Sequence, residues 1–318
     1  LRRASSGDDS SSSNSNGMLQ LDGGTQMQGL EIAAACGHFD DYVSLVNDDD
    51  PNGPTSPDFR KAQLAWRRIV GQTVSHPHLD HVADFVTMSQ ELPFGGNFPV
   101  YARETVLQDL ETHVFNFRIW PDFFNIGFSP NDNTLKRMPL ESFVPLAVPD
   151  TGGLTLTAFP LNHENPDGST AFLLEDADGA AFLVLFDTGP DSVLGSGEMR
   201  ALWDYVAPLY KDGLLKGVMM ESSFVTEIAD ASLFGHLTPC YLLQELRSLA
   251  NAADVEHLEG LNVLVMHIKW KVLDENYIAT VRDEFELDYL DNGQGTCSEA
   301  NDLKVKFTFM EQGVRYNL

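Results

Sequence analysis

Four side chains able to hold a metal fall within His76-Pro77-His78-Leu79-Asp80-His81, directly after Ser75 and an apolar run. His76 and His78 are two residues apart, so an extended backbone turns both imidazoles to one side. There neutral nitrogens can bind a borderline cation such as zinc. Asp80 and His81 follow at the predicted start of a helix, where the dipole favours a carboxylate, and they face a second position further on. One loop can thus serve two metals. Ligand types recur where other strands are predicted to end: His163 after LTLTAFPLN, Asp187 after AAFLVLF and His267 after LNVLVM. Strand ends on one edge of a sheet converge, so separate strands can deliver ligands to one site, and that strand-end context supports the motif. His38, His113 and His257 match no ligand position.

Such ligands need strands to hold them. Short runs rich in β-branched or aromatic residues predict strands at 18–21, 67–74, 154–161, 180–186, 216–220, 261–266 and 305–310. Apolar residues three or four apart predict helices over Val82–Met88, Met199–Tyr210, Cys240–Asn251 and Asp274–Arg282. Clusters of Asp, Gly and Pro at 47–58 and 291–302 read as surface loops. Strands mixed with helices, with no internal repeat and no clear linker, imply sheets covered by helices in a single domain over 17–318. Residues 1–16 are dominated by Ser, Asp and Asn and read as a disordered tail, because they cannot repay the entropy of ordering. The chain opens on Leu1 rather than Met, which reads as a fragment or a processed chain.

Hydrophobic residues make up 43% of the 318, enough for a sizeable core, and 20 Lys and Arg stand against 47 Asp and Glu, a net charge of −27. A surface of that sign repels long polyanions and anionic lipid, which weighs against a general nucleic-acid binder or a membrane-surface protein. No stretch approaches the ~18 uninterrupted apolar residues of a membrane span. Cys36, Cys240 and Cys297 are odd in number, far apart and in no CxxC arrangement. Neither a disulfide framework nor a thiolate zinc site is therefore expected, and a reducing, cytoplasmic location fits.

The order HxHxDH, a distant His, an Asp-Thr-Gly turn and a final His resembles the metallo-β-lactamase superfamily. That resemblance implies an α+β fold, the αββα four-layer sandwich, with two divalent metal ions at one edge. Carried over by motif, His76, His78 and His163 hold one metal, Asp80, His81 and His267 the other, and Asp187 bridges them. Having His78 rather than an acidic residue at the second motif position favours a hydrolytic zinc site over the di-iron, oxygen-reducing branch, with manganese or iron as alternatives to zinc. Asp22 in Leu21-Asp22-Gly23-Gly24-Thr25 is similar to the superfamily's first acidic motif, which supports the metal loop through hydrogen bonds.

Within the superfamily, HPHLDHVADFVTMS from His76, HVFNFRIWPDF (113–123), ESSF (221–224), LFGHLTP (233–239) and MHIKW (266–270) resemble class II cyclic-nucleotide phosphodiesterases. The implied reaction is hydrolysis of a 3′,5′-cyclic nucleotide, cyclic AMP ahead of cyclic GMP, to the 5′-monophosphate by a metal-bridging hydroxide. A formal charge of roughly +1 at such a centre attracts the singly charged phosphodiester despite the acidic exterior. His236 lies in a segment similar to the Gly-His-Ser/Thr of the related nuclease branch, which implies a proton donor to the leaving ribose oxygen. Glu221, ending KGVMM, can orient it. In 114–128, Phe115, Phe117, Trp120, Phe123, Phe124 and Phe128 surround Asn116; such rings can stack a purine while the amide reads its edge.

Two departures stand out. Asp84 occupies a position where the class carries a small residue, and the family's opening strand and glycine-rich turn ahead of MLQLDGGT have no counterpart in 1–16. Ser5 in Arg2-Arg3-Ala4-Ser5 resembles a site for cyclic-AMP-dependent protein kinase, a regulatory partner. Two other functions share these residues: a tRNA 3′-processing endonuclease, which needs a basic exosite that no Lys/Arg cluster here supplies, and a non-catalytic cyclic-nucleotide-binding paralogue.

Overall fold

The computed structural model describes residues 17–24, 26–36, 57–127, 132–164 and 168–316. They divide into two units. The first runs to Leu140 and includes Ala147–Leu154; the second comprises Glu141–Leu146 and the chain from Thr155 onward.

The first unit holds β1 (Met18–Leu21), α1 (Gln26–Ala35), α2 (Pro57–Trp66), β2 (Ile69–Thr73), α3 (Leu79–Met88), β3 (Phe98–Arg103), α4 (Glu104–Asp109) and β4 (Leu135–Leu140). Its sheet is parallel throughout, in the order β1-β2-β3-β4. Parallel neighbours need long crossovers, and the helices between successive strands supply them. Val82, Phe85 and Val86 are buried along α3 and pack with Val100, Leu107, Leu110 and Phe115. Gly71 in β2 has a steric reason: a Cβ there would lie 2.7 Å from the buried Tyr101 ring.

The second unit carries Leu146 of β5 (Leu146–Ala147), the strand in which the division falls, and then β6 (Thr155–Leu161), β7 (Ser169–Glu175), β8 (Ala181–Leu185), α5 (Asp191–Leu194), α6 (Glu198–Lys211), β9 (Leu215–Glu221), α7 (Pro239–Ala252), β10 (Asn262–Met266), α8 (Tyr277–Glu284), β11 (Tyr289–Asp291), β12 (Ser298–Ala300) and β13 (Lys306–Phe309). The main sheet runs β13-β10-β9-β8-β7-β6-β5, and β11 pairs with β12 in a small separate ribbon. Pairing is parallel from β13 to β8 and antiparallel from β8 through β7 to β6. β8 and β10 are almost uninterrupted apolar runs, as strands buried on both faces require. Trp203, Leu202 and Val206 of α6 and Leu242, Leu246 and Leu249 of α7 share one core with them.

All seven expected strands are present, and β3, β4, β5, β7, β11 and β12 add to them. β4 reads LKRMPL, whose charged residues suit an edge strand and hide it from a search for apolar runs. α3 starts at Leu79, three residues earlier than expected, because Asp80 and His81 break the apolar period while the extended His78 caps the helix. α8 starts three residues late, after a turn closed by Asp274 N–H to Lys271 C=O. The loop expected at 47–58 gives way to α2 at Pro57, and the one at 291–302 contains β12. No helix among the described residues is long and apolar enough to cross a membrane.

The cysteine expectation is corrected. Cys240, in the first turn of α7, and Cys297, beside β12, form a buried disulfide across 57 residues of sequence. A pairing so distant leaves no local spacing signal. The neighbouring elements meet through Arg247, which binds Glu299 and Asp302, and through Tyr241 Oη with Thr296. Cys36 is a free, exposed thiol. A buried disulfide removes the ground on which a reducing compartment was inferred.

Candidate metal centre

In the first unit, β1 and β2 are parallel neighbours with Leu21 opposite Thr73, so Asp22 and the Ser75–His76 segment leave adjacent strand ends. Asp22 adopts φ 48, a left-handed conformation that costs a residue with a side chain about 1 kcal/mol. Its buried carboxylate accepts from Ser75 N–H at 2.7 Å and Ser75 Oγ–H at 2.5 Å, and faces His81 Nδ1 at 2.8 Å. A carboxylate only accepts, so His81 carries its proton on Nδ1 and has Nε2 as its basic nitrogen. Ser75 spends its proton on Asp22, so its oxygen accepts from His76 Nδ1 at 2.9 Å, and His76 takes the same tautomer.

The Asp-Gly-Gly turn is locked onto α3. Gly23 N–H donates to His81 C=O at 2.6 Å, Phe85 N–H donates to Gly23 C=O at 2.9 Å, and a Cβ on Gly24 would sit 1.8 Å from Asp80 O. His78 is exposed, its ring centroid 4.5 Å from that of His76, and Asp80 lies in the first turn of α3 with Oδ2 4.0 Å from His81 Nε2. Asp22, His76 and His81 offer ligand atoms all within 4.8 Å of one another.

In the second unit, β6, β8, β9 and β10 all run in one direction, so their C-terminal ends lie along one edge. His163, Asp187, Glu221 and His267 are found at those ends. His163 Nδ1–H donates to Gly235 C=O at 2.8 Å, and its Nε2 is 3.9 Å from Asp187 Oδ2. Gly235 has φ 70, and a Cβ on it would strike that imidazole at 2.7 Å. Glu221 is completely buried and fully served: Oε1 takes Thr188 N–H at 2.9 Å and His236 Nδ1–H at 2.8 Å, and Oε2 takes Ser223 Oγ–H at 2.6 Å.

His267 sits at φ 57, the second strand-end residue in a left-handed conformation. Its Nδ1 is 3.1 Å from Ser223 Oγ and 3.3 Å from Asp187 Oδ1, and its Nε2 is 3.3 Å from Lys269 Nζ. An ammonium only donates, so Nε2 is the basic nitrogen and Nδ1 carries the proton. Glu221, His236 and His267 offer ligand atoms all within 4.8 Å of one another.

His76, His81, His163 and His267 thus share one tautomer, with Nδ1–H tied to a protein acceptor and Nε2 presenting the lone pair, while His236 turns its Nδ1–H to Glu221. A metal-ligating imidazole has this arrangement, its outward nitrogen made more basic by the bond behind it. Asp80 lies beside His81 in the first unit, and Asp187 beside His163 and His267 in the second, so each unit brings donors that suit a borderline divalent ion. Burial pushes His163 down, outweighing the Gly235 carbonyl and Asp187, and so keeps it neutral. Burial alone would lower His236 too, but the charge and hydrogen bond of Glu221, with Asp187, raise it. Burial raises Asp22 despite its bonds to His81 and Ser75.

Asn116 is otherwise engaged: its Nδ2 donates to Thr112 C=O at 2.9 Å, and its Oδ1 accepts from Arg118 and Ile119 N–H, both at 3.0 Å. The amide expected to read a base edge braces its own loop. Phe115, Phe123 and Phe124 are core residues of the first unit, Trp120 donates to Ser89 Oγ, and Phe117 is exposed. Asp84 is half-buried on α3. Ser5, His38 and Phe128 lie outside the described residues. Sequence reading missed Ser75, Thr188, Ser223 and Lys269. All four flank expected ligands or Glu221 within two positions, and that adjacency was the available signal.

The model of the family "cAMP phosphodiesterases class-II" matches residues 1–313. The chain is 35% identical over 296 residues to the 3′,5′-cyclic-nucleotide phosphodiesterase of Aliivibrio fischeri, covering 93% of this chain and 82% of the relative. It is 27% identical over 312 residues to that of Schizosaccharomyces pombe, covering 94% and 84%. The crystal structure of unliganded yeast PDE1 superposes with a TM-score of 0.73 at 20% identity, over 93% of this chain and 89% of that one. The α+β fold expected from the motifs is the fold observed, and it is shared with yeast PDE1.

Proposed function

Because this chain belongs to the class-II cAMP phosphodiesterase family, we propose that it opens the ring of 3′,5′-cyclic AMP, with cyclic GMP as a second substrate, to the nucleoside 5′-monophosphate. The observation that carries the reading is the common tautomer of His76 and His81 in the first unit and of His163 and His267 in the second, each with Nε2 left to a cation. His76, His78 and His163 would hold one divalent ion, Asp80, His81 and His267 the other, and Asp187 both, an assignment resting on the superfamily resemblance. Zinc fits this donor set best. When bound, such ions polarise phosphoryl oxygens and make water acidic enough to attack at neutral pH.

The chain's own residues do the rest. Asp22 and Ser75 hold the metal loop by fixing His81 and His76. Glu221 fixes His236 with Nδ1–H inward, so a proton on Nε2 faces away from the carboxylate. As the P–O3′ bond breaks, that proton passes to the departing ribose oxygen. His236 is the donor of choice because Glu221 both orients it and stabilises its cationic form.

Neither an endonuclease nor a non-catalytic paralogue is favoured by the family match. The excess of acidic residues supports a small anionic substrate over polymeric nucleic acid or a membrane surface. The two units are proposed to act as one catalytic domain, and Ser5 as a kinase site. A cytoplasmic location is proposed against the Cys240–Cys297 bond, which an oxidising compartment would preserve. The test is product analysis with cyclic AMP, cyclic GMP and bis(p-nitrophenyl) phosphate. Formation of 5′-AMP supports the reading, and exclusive formation of 3′-AMP, or turnover of neither cyclic nucleotide, overturns it.

A further inference from the structure

The same arrangement of side chains is built in each unit. In the first, the buried Asp22 carboxylate faces His81 Nδ1 at 2.8 Å and takes Ser75 Oγ–H at 2.5 Å, and the Ser75 oxygen accepts from His76 Nδ1 at 2.9 Å. In the second, the buried Glu221 carboxylate takes His236 Nδ1–H at 2.8 Å and Ser223 Oγ–H at 2.6 Å, and the Ser223 oxygen lies 3.1 Å from His267 Nδ1. Each carboxylate thus reaches one imidazole directly and a second through a serine.

The direction of the second chain follows from one proton. Ser223 Oγ is 2.6 Å from Glu221 Oε2 and 3.0 Å from His267 C=O, and a charged acceptor makes the shorter, stronger bond. With its proton on Glu221, the hydroxyl oxygen accepts the His267 Nδ1–H. His236 Nδ1 is 3.4 Å from that oxygen, but Glu221 is the nearer acceptor. Backbone bonds clamp both sides of His267: Ser222 N–H donates to Met266 C=O at 3.0 Å, and Lys269 N–H to Ser223 C=O at 3.1 Å. Between them His267 takes φ 57, with the fully buried Ser223 against its ring nitrogen. A second acceptor for that Nδ1–H is Asp187 Oδ1 at 3.3 Å. Turning to it would engage an oxygen that the proposed centre needs for a cation.

The phosphodiesterase reading gives the two imidazoles different work, His267 holding a metal and His236 supplying a proton. Resting on that reading, we propose that Ser223 is a positioning residue that ties the two together. Glu221 orients the proton donor directly and, through the Ser223 hydroxyl, keeps His267 with its basic Nε2 outward. A serine that only filled space would leave the His267 Nδ1–H and zinc affinity where they are.

The experiment compares the wild-type chain with Ser223→Ala, Glu221→Gln and the double variant. Zinc affinity is read by chelator competition on stripped protein, the His267 Nδ1–H from imidazole proton and nitrogen shifts before zinc is added, and turnover of cyclic AMP at saturating zinc. Ser223→Ala should weaken zinc by about 10–100-fold, the range for losing the partner behind a ligand, and move the His267 Nδ1–H resonance. Turnover at saturating zinc should be largely kept, because His236 retains its own bond to Glu221. Glu221→Gln should lower zinc affinity and turnover together. In the double variant the serine change should cost less zinc affinity than it does in wild type, because residues in one network are not additive. Zinc binding in Ser223→Ala within twofold of wild type, an unmoved His267 Nδ1–H, or zinc losses that add in the double variant overturns the proposal. If Ser223→Ala does not fold, Glu221→Gln decides, since it leaves the serine in place: unchanged zinc affinity and His267 shifts there overturn the link, and changes in both support it. If the wild type hydrolyses no cyclic nucleotide, the phosphodiesterase reading fails, and the zinc and shift measurements still decide the role of Ser223.

Discussion

Asp22→Asn isolates the link between hydrogen bonding and metal affinity. The substitution keeps the size of the side chain and the acceptor for Ser75 N–H at 2.7 Å, but it puts an NH2 where Oδ2 now faces both Ser75 Oγ and His81 Nδ1. A buried donor then opposes two donors, a mismatch costing about 1–3 kcal/mol for each group left unpaired. His81 can relieve it by moving its proton to Nε2, which removes the lone pair offered to the metal. Losing a partner of this kind lowers metal affinity ~10–100-fold. The assay is competition between the stripped protein and a chromophoric chelator for zinc, with the His81 tautomer read from imidazole nitrogen shifts. A variant that holds zinc within twofold of wild type, with His81 still protonated on Nδ1, would refute the mechanism.

His236→Ala should lower turnover by ~10²–10⁴ while zinc content stays constant, the range for one acid–base group; loss of zinc in that variant would make His236 a ligand instead. Glu245 is buried between α6 and α7 and accepts from Trp203 Nε1–H at 2.9 Å. Burial pushes its carboxyl from 4.5 up to about 7, against the Trp203 bond. The folded form therefore binds this proton more tightly than the unfolded one. The resulting stability is full below pH 4.5 and is lost as the pH rises to about 7, by about 3 kcal/mol. Urea denaturation should show Glu245→Gln gaining on wild type between pH 5 and 8, and a gap that does not vary with pH would contradict this. Cys240→Ala with Cys297→Ala opens a 57-residue closure and should cost about 4 kcal/mol on the loop-entropy account. A thermal midpoint equal to that of the oxidised wild type would remove the disulfide from the stability account.

The candidate ligands stood out because His76, His78, Asp80 and His81 crowd one loop and His163, Asp187 and His267 each follow an apolar strand. Those strands are apolar on both faces, so their runs were easy to see. Glu221 was found at a strand end by the same logic, and Asp22 by its likeness to the superfamily's first acidic motif. What escaped was chemistry carried by common residues: Ser75 and Ser223 matter through a single proton, and nothing in their identity reveals where it points. Gly24 and Gly235 likewise show their purpose only when Asp80 and His163 lie against them. The Cys240–Cys297 bond joins an α7 residue to the β12 ribbon, a proximity created by tertiary packing and absent from cysteine spacing. Asn116 shows the converse, since the sequence reveals an amide among aromatic rings but not the three backbone groups it bonds.

The most direct measurement is the rate of 5′-AMP formation from cyclic AMP by one preparation, followed through chelation and the return of zinc in known increments. Activity should vanish on stripping and recover to a plateau at two equivalents per chain. Full turnover by the stripped protein, or zinc returned to saturation without any cyclic-nucleotide hydrolysis, would contradict a metal-dependent phosphodiesterase.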